Sequence, residues 1–212
     1  MRSYGQYCGL AKALDLVGDR WTLLIVRELL ALGPSRYSDL QHGLPGIATN
    51  LLATRLHDME AVGLVERRSS PPPVPAALFA LTERGRALEP ALLQLGKWAA
   101  PLLGPYTDDQ LLRSHWLSLP AKLRLRDHQP KHAPVMIEVR LADEPPMLVH
   151  VHAGRVDVRP GSVDQPDALI AGEPNGVLGL LFGRVGLAAA RRQGVRFEGD
   201  YGAVTRVRPR AA

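Results

Sequence analysis

The sequence predicts an α+β protein made of two parts with different patterns. Residues 1–105 combine apolar positions at helical spacing with one pair of short strands. Residues 132–212 show short β-branched strands, then apolar helices and another strand. Residues 106–131, which contain Pro120 and Pro130, are predicted to connect the two parts. The length of 212 residues suits one large domain or two small ones.

The first part is predicted to open with four helices. Apolar residues repeat at helical spacing between breaks at Gly18, at Gly33-Pro34 and at the Gly/Pro turn of residues 43–46. Asp19 is the expected cap of the second helix, and Tyr37 and Leu40 mark a short third helix. The fourth helix is expected from about Ala48 to Val62, where Gly63 stops it.

A hairpin and a last helix complete the first part. A strand begins at Leu64-Val65 and runs through Arg67 and Arg68, a proline-rich loop covers residues 69–75, and residues 78–81 form the returning strand. Thr82 is the expected cap of the final helix, with Pro90 as a kink.

The second part is predicted to contain a small sheet and helices. Strands are expected over residues 135–141, 147–152, 156–159, 168–171 and 195–198, and helices over residues 177–182, 187–192 and 201–207.

The fourth helix is predicted to have one apolar and one polar side. Steps of 100° place Leu51, Leu52, Leu56, Met59 and Val62 on the first side and Thr49, Asn50, Ala53, Thr54 and His57 on the second. Small polar side chains can approach base edges in the major groove of DNA. For an isolated amphipathic helix, a simple solvated face is the commoner explanation. The order of the elements, a short helix, a turn, this helix and a hairpin with two arginines, favours a winged helix-turn-helix.

Longer motifs carry a family resemblance over residues 7 to about 100. They are Cys8-Gly-Leu-Ala, Val17-Gly-Asp-Arg-Trp-Thr-Leu-Leu-Ile-Val-Arg-Glu-Leu, Arg36-Tyr-Ser-Asp-Leu, Leu44-Pro-Gly-Ile, Leu52 with Arg55-Leu56, Gly63-Leu-Val-Glu-Arg-Arg and Leu81-Thr-Glu-Arg-Gly. With them the chain resembles the HxlR-type branch of the MarR-like bacterial transcription regulators. The resemblance implies a homodimer that binds a pseudo-palindromic operator in double-stranded DNA with the fourth helix in the major groove.

The resemblance also implies roles for individual residues. Thr49, Asn50 and Thr54 would contact bases, with His57 on the same helix face, while Arg36 and Arg55 would bind phosphate and Arg67 and Arg68 would serve the wing. For Arg55 a structural ion pair with Asp39 or Glu66 is an equal alternative.

Cysteine use and hydropathy indicate the compartment. Cys8 is the single cysteine, so no disulfide can form within the chain, and a reducing cytoplasm is expected. The chain shows neither an export signal nor an apolar stretch approaching the roughly 18 residues of a membrane span. Some relatives sense oxidants with a cysteine at this position, so Cys8 is a candidate redox sensor. The alternative is a small buried hydrophobe.

No enzymatic or metal chemistry is predicted. His150 and His152 share one strand face, a spacing that zinc could use, but no third ligand accompanies them. We find no nucleophile with a base, no phosphate-binding glycine loop and no paired carboxylates, so neither catalysis nor a cofactor is expected.

The second part, over about residues 132–210, resembles the sterol-carrier-protein fold. The resemblance rests on Pro166-Asp-Ala-Leu-Ile-Ala-Gly, the apolar helix Leu178 to Phe182 and Val195-Arg-Phe-Glu-Gly-Asp. It implies an apolar cavity for a hydrophobic effector, near Leu178, Leu181, Phe182, Val185, Leu187 and Ala190. Filling an ordinary core is the alternative for each of them. The rival interpretation of the whole chain is a lipid- or small-molecule-binding carrier or enzyme that uses the winged helix mainly to dimerise.

The net charge of +5 is compatible with a polyanion partner but does not locate one. It is spread over both halves of the chain, so a nucleic-acid site must depend on the local arrangement of charges.

Overall fold

A computed structural model describes residues 3–69 and 77–209 of the chain. The chain divides into two compact units, Met1–Gln94 and Leu95–Ala212. The predicted domain limits, residues 1–105 and 132–212, stay predictions. The predicted loop over residues 69–75 falls almost entirely on residues 70–76, outside the described residues.

The first unit opens with four helices, as predicted. They are α1 (Gly9–Val17), α2 (Thr22–Leu32), α3 (Tyr37–Gly43) and α4 (Thr49–Ala61). Ile25 in α2, Leu40 in α3 and Leu56 in α4 are fully buried, so each of these helices has a side that faces the interior. Trp21 rather than Asp19 occupies the cap position of α2, and the Asp19 carboxylate accepts a hydrogen bond from the Trp21 N–H.

The predicted hairpin is present and follows α4. Strands β1 (Val65–Ser69) and β2 (Ala77–Leu81) pair in antiparallel register, with Arg67 opposite Phe79. Gly63, at a φ of +70°, provides the turn between α4 and β1, because a side chain is strained in that conformation.

The helical region after the hairpin differs from the prediction. Thr82 accepts a hydrogen bond from the Gly85 N–H, as a cap should, but it caps only the short helix α5 (Glu83–Arg86). A separate helix, α6 (Glu89–Ala99), follows and leads into a 3₁₀ turn, Ala100–Leu102. The predicted single helix with a kink at Pro90 was wrong, because a proline in the first turn starts a helix without losing a hydrogen bond.

The second unit contains one five-stranded mixed sheet. Its strands are β3 (Val135–Leu141), β4 (Met147–His152), β5 (Arg155–Pro160), β6 (Ala168–Gly172) and β7 (Arg196–Gly199), in the order β5-β4-β3-β6-β7. Only the β3–β6 pair is parallel among the pairs of this sheet. Alternate residues such as Ile137, Val149 and Ile170 point into the apolar core, and the other side of the sheet carries polar side chains together with the buried Leu148 and Leu169.

Four helices accompany this sheet: α7 (Ser118–Arg124), α8 (Pro174–Leu181), α9 (Leu187–Arg192) and α10 (Tyr201–Arg206). Leu117, Ala121 and Leu125 belong to the same core as the inward side chains of the strands. Part of the segment predicted as a connector thus packs inside the second unit.

A buried ion pair fixes the end of this unit. Asp127 accepts hydrogen bonds from Arg206 Nε at 2.8 Å and from the Gln129 and Gly154 N–H groups. Both side chains are almost fully buried. The hydrogen bond from Arg206, assisted by the two backbone donors, holds the pKa of Asp127 well below its usual range although burial acts to raise it.

Candidate nucleic-acid interface

Helix α4 presents a polar surface of the predicted composition. Leu52, Leu56 and Met59 are buried, whereas the side that carries Thr49, Asn50, Ala53, Thr54 and His57 is exposed. The prediction from helical spacing is therefore confirmed for the exposure of this surface. None of these five residues is acidic, and Glu60, which follows one turn after His57, is paired with Arg67.

Helix α3 holds the beginning of α4 in place. The Tyr37 hydroxyl donates to the Thr49 carbonyl oxygen, and Gln41 Nε2 donates to Thr49 Oγ1 at 2.8 Å. Because Thr49 Oγ1 accepts from Gln41, the hydroxyl hydrogen is left to donate elsewhere. Sequence reasoning missed this role of Gln41. The available signal was a polar residue one turn after Tyr37 on the same side of α3.

The next two polar residues of α4 have defined hydrogen-bonding roles. Asn50 Oδ1 accepts from the Leu51 N–H at 2.9 Å, so the amide NH₂ group is the part that faces outward. Thr54 Oγ1 donates to the Asn50 carbonyl oxygen at 2.9 Å, which leaves its lone pairs and its methyl group for a partner. The exposed surface of α4 therefore offers donors at its start and an acceptor one turn later.

Arg55 pairs with acids of its own unit. Its Nη1 lies 3.2 Å from Asp58 Oδ2 and its Nε lies 3.5 Å from Asp19 Oδ1. An ion pair was one of the two alternatives for Arg55, but the expected partners, Asp39 and Glu66, were wrong. Asp58 is three residues away on the same helix, whereas Asp19 comes from the turn between α1 and α2.

The other arginines predicted to contact DNA differ in their neighbours. Arg67 Nε lies 2.9 Å from Glu60 Oε1 and its guanidinium covers the Phe79 ring, and Arg68 Nε donates to Glu66 at 2.8 Å. Within residues 3–69 and 77–209, Arg36 makes no ion pair, and its side chain is exposed. Arg36 is therefore the least neutralised of the four cations.

Comparison with known proteins gives a consistent result for the N-terminal half of the chain. A profile described as HxlR-like helix-turn-helix matches residues 16–106. The Bacillus subtilis HTH-type transcriptional regulator YvaP is 36% identical over 94 residues, which cover 44% of this chain and 86% of that protein. The chain belongs to the HxlR-like helix-turn-helix family.

A second relative from Bacillus subtilis agrees with this membership. The HTH-type transcriptional regulator YodB of Bacillus subtilis is 33% identical over 93 residues, which cover 44% of this chain and 82% of YodB. The solved reduced form of YodB is 31% identical, covers 48% of this chain and 100% of that chain, and has a TM-score of 0.41. This HxlR-like chain is a DNA-binding helix-turn-helix transcriptional regulator, and its relatives YvaP and YodB are both named as transcriptional regulators.

The single cysteine of the HxlR-like unit lies at the surface. Cys8 is exposed and occupies the position before the first residue of α1. Within a single copy of the chain Cys8 is therefore not part of a core, and a redox role stays a prediction.

The second unit of this HxlR-like chain places the six predicted effector residues around its core. Leu181, Phe182 and Ala190 are core residues, and Leu178, Val185 and Leu187 pack against them while partly exposed. A groove of about 440 Å³ lies elsewhere, on the polar side of the sheet, where Glu138, Arg140 and Arg196 contribute to its wall. Contact with an effector stays a prediction for all six residues.

The histidine pair of β4 has neighbours that explain its spacing. His150 and His152 stack with ring centroids 4.3 Å apart, and His152 Nε2 lies 3.0 Å from Asp157 Oδ2. In the described ranges, no group of three or more His, Cys, Asp or Glu side chains could hold a metal ion. No helix in the described part of the HxlR-like chain could span a membrane.

Proposed function

We propose that the chain is a cytoplasmic, homodimeric regulator that binds a pseudo-palindromic operator with α4 in the major groove. The observation that carries the proposal is the exposed surface of Thr49, Asn50, Thr54 and His57, which is polar, free of acids and rigidly attached to α3. Placing this helix in the groove follows the general geometry of helix-turn-helix proteins.

The hydrogen-bond pattern of α4 supports specific base contacts. The Thr49 hydroxyl and the outward NH₂ group of Asn50 are donors, which match the N7 atoms of purines, the O6 of guanine and the O4 of thymine. Thr54 offers an acceptor and a methyl group, which match an exocyclic amine or a thymine methyl. We therefore assign base recognition to these three residues, with His57 at the end of the same surface.

The arginines of the first unit have unequal roles in this proposal. Arg36 is exposed without an ion pair and is the phosphate contact that the structure favours. Arg67 and Arg68 would reach the DNA backbone only by exchanging Glu60 and Glu66 for phosphate, so the wing adds modest affinity. Arg55 supports α4 through Asp19 and Asp58.

The apolar surface of α1 supports a homodimer. Tyr7, Leu10 and Leu14 are exposed although they are large and apolar. Such neighbouring apolar side chains usually mark a protein–protein contact. A second copy of the chain is the proposed partner, since a dimer matches the two halves of a palindromic site.

Regulation by a hydrophobic effector in the second unit completes the proposal. Helix α8 and the first four residues of α9 are mainly apolar, and Leu178, Val185 and Leu187 are only partly buried beside the core that contains Leu181, Phe182 and Ala190. Together with the motifs that resemble the sterol-carrier-protein fold, this arrangement supports a ligand between these helices and the sheet.

The decisive test is Asn50→Ala in the full chain. Fluorescence anisotropy with the best duplex selected from a random library, and with unrelated DNA, gives the ratio of specific to non-specific affinity. Loss of a good base contact costs about 1–3 kcal/mol, so the ratio should fall by about 5- to 150-fold. The control is Gln165→Ala, which removes an exposed amide from the second unit. Equal ratios for the two variants would refute base recognition by α4.

A further inference from the structure

Three arginines of the second unit contact uncharged groups, and a fourth lies near them. Arg126 Nη1 donates to the Lys122 and Leu125 carbonyl oxygens, and Arg208 Nη2 donates to the Tyr201 hydroxyl while its guanidinium lies over the Tyr201 ring. The Arg124 guanidinium lies 5.8 Å from the centroid of the Phe182 ring. The fourth, Arg184, is exposed close to Phe182 in sequence. We call Arg124, Arg126, Arg184 and Arg208 the arginine patch.

The members of the arginine patch lie at one place in the fold. Leu125 and Pro209 form a β-bridge, which brings the chain around Arg124 and Arg126 next to the chain around Arg208. A Cβ atom added to Gly183 would lie 3.8 Å from the Cγ of Arg208, so Arg208 also adjoins the turn that carries Arg184. All four residues therefore belong to the region where α7, the end of α8 and the segment after α10 meet.

Carboxylates neutralise four other arginines of this unit but not the members of the patch. Arg113, Arg140, Arg196 and Arg206 pair with Glu144, Glu138, Glu198 and Asp127. Within residues 3–69 and 77–209, no member of the arginine patch forms an ion pair with Asp or Glu. The sequence around it reinforces this difference, because residues 118–126, 174–197 and 201–209 contain neither Asp nor Glu. The patch thus keeps its full positive charge.

We propose that the arginine patch binds backbone phosphates of DNA and gives the regulator a second, sequence-independent contact. A guanidinium group can donate two parallel hydrogen bonds to the oxygens of one phosphate. Because Arg126 and Arg208 are already held by hydrogen bonds in the free protein, their side chains lose less conformational entropy on binding. The choice of DNA as the anion rests on the proposed function. A bilayer is disfavoured because no exposed large apolar side chain is present among the described residues after Leu111.

The test compares two double variants of the full chain. Arg124→Gln with Arg184→Gln removes two exposed charges from the arginine patch. Arg155→Gln with Arg159→Gln removes two exposed charges from β5, on the side of the sheet opposite the core. Anisotropy titrations with a labelled duplex of unrelated sequence, between about 50 and 200 mM salt, give the slope of log K against log salt for each protein.

The patch variant should reduce the magnitude of this slope by about 2, because each lost phosphate contact removes about one released counterion. The ratio of affinities for selected and unrelated DNA should stay at the wild-type value. The β5 variant should keep the wild-type slope. If the double patch variant does not fold, Arg184→Gln alone should reduce the magnitude of the slope by about 1.

Two results would overturn the proposal. One is a slope for the patch variant equal to that of the β5 variant. The other is a patch variant that keeps the wild-type slope on DNA but no longer binds vesicles of equal parts phosphatidylserine and phosphatidylcholine that the wild type binds. That result would show that the patch binds a membrane instead of DNA. A wild-type protein without any preference for selected DNA would instead contradict base recognition by α4, and the slopes on unrelated DNA would still decide the role of the patch.

Discussion

A single substitution of Arg55 can distinguish a structural role of its side chain from a DNA-contacting role. In the structure the Arg55 side chain, on α4, forms ion pairs with Asp58 on the same helix and with Asp19 in the turn before α2. Its side chain is 23% exposed, and the two acids are about one-third exposed. Because solvent screens such pairs, each should stabilise the first unit by about 0.3–1 kcal/mol. Arg55→Gln should therefore lower the free energy of unfolding of this unit by about 1 kcal/mol.

Two measurements on Arg55→Gln check this reasoning. A loss of 1 kcal/mol corresponds to a fall in Tm of about 4–8 °C for a unit of this size, which thermal denaturation followed by circular dichroism can detect. The slope of log K against log salt for unrelated DNA should not change. Arg36→Gln is the matched control with the opposite expectation, a slope lower in magnitude by about 1 and a Tm near that of the wild type. A reduced slope with an unchanged Tm for Arg55→Gln would refute the structural role and restore the phosphate contact.

Two further predictions concern the buried pair of the second unit. Asp127→Ala leaves Arg206 buried without a counter-ion, so the free energy of unfolding measured in urea should fall by about 3–5 kcal/mol. The control is Asp157→Ala at an exposed pair, which should lower it by less than about 1 kcal/mol. Similar losses for the two variants would contradict a buried pair. Since the pKa of Asp127 is lowered in the folded state, the unfolded chain takes up the proton first as the pH falls. The stability advantage of the wild type over Asp127→Asn should therefore be complete above the usual Asp pKa of about 4 and shrink below it, and an advantage that is constant down to pH 2 would contradict this.

The parts of the fold that depend on local patterns could be predicted from the sequence. Strands β3 and β4 follow the alternation of their own residues, and their observed bounds, Val135–Leu141 and Met147–His152, equal the predicted ones. The exposed side of α4 follows from helical spacing alone. The place of Leu117 and Leu125 in the core could not be predicted, because it depends on strands that follow later in the chain.

The ion-pair partners of the site show the same limit. Asp58 could have been found, since residues three apart on a helix are neighbours. Asp19 could not, because only the folding of α4 against the α1–α2 turn brings it to Arg55. The hold of Gln41 on Thr49 likewise depends on the angle between α3 and α4. Sequence patterns thus identified the surface of α4 but not the contacts that orient its side chains.

The net charge of +5 says little about DNA binding, because ion pairs within the protein determine which cationic side chains are available to bind phosphate. Arg55, Arg67 and Arg68 lie where a helix-turn-helix protein meets DNA, yet each has a carboxylate partner that offsets its charge. The arginine patch lies outside the helix-turn-helix, and within residues 3–69 and 77–209 none of its members pairs with a carboxylate, so its field is not offset locally. Phosphate contacts supply affinity and base contacts supply specificity in protein–DNA complexes. On this assignment, α4 selects the sequence with uncharged groups, while much of the salt-dependent affinity comes from the second unit.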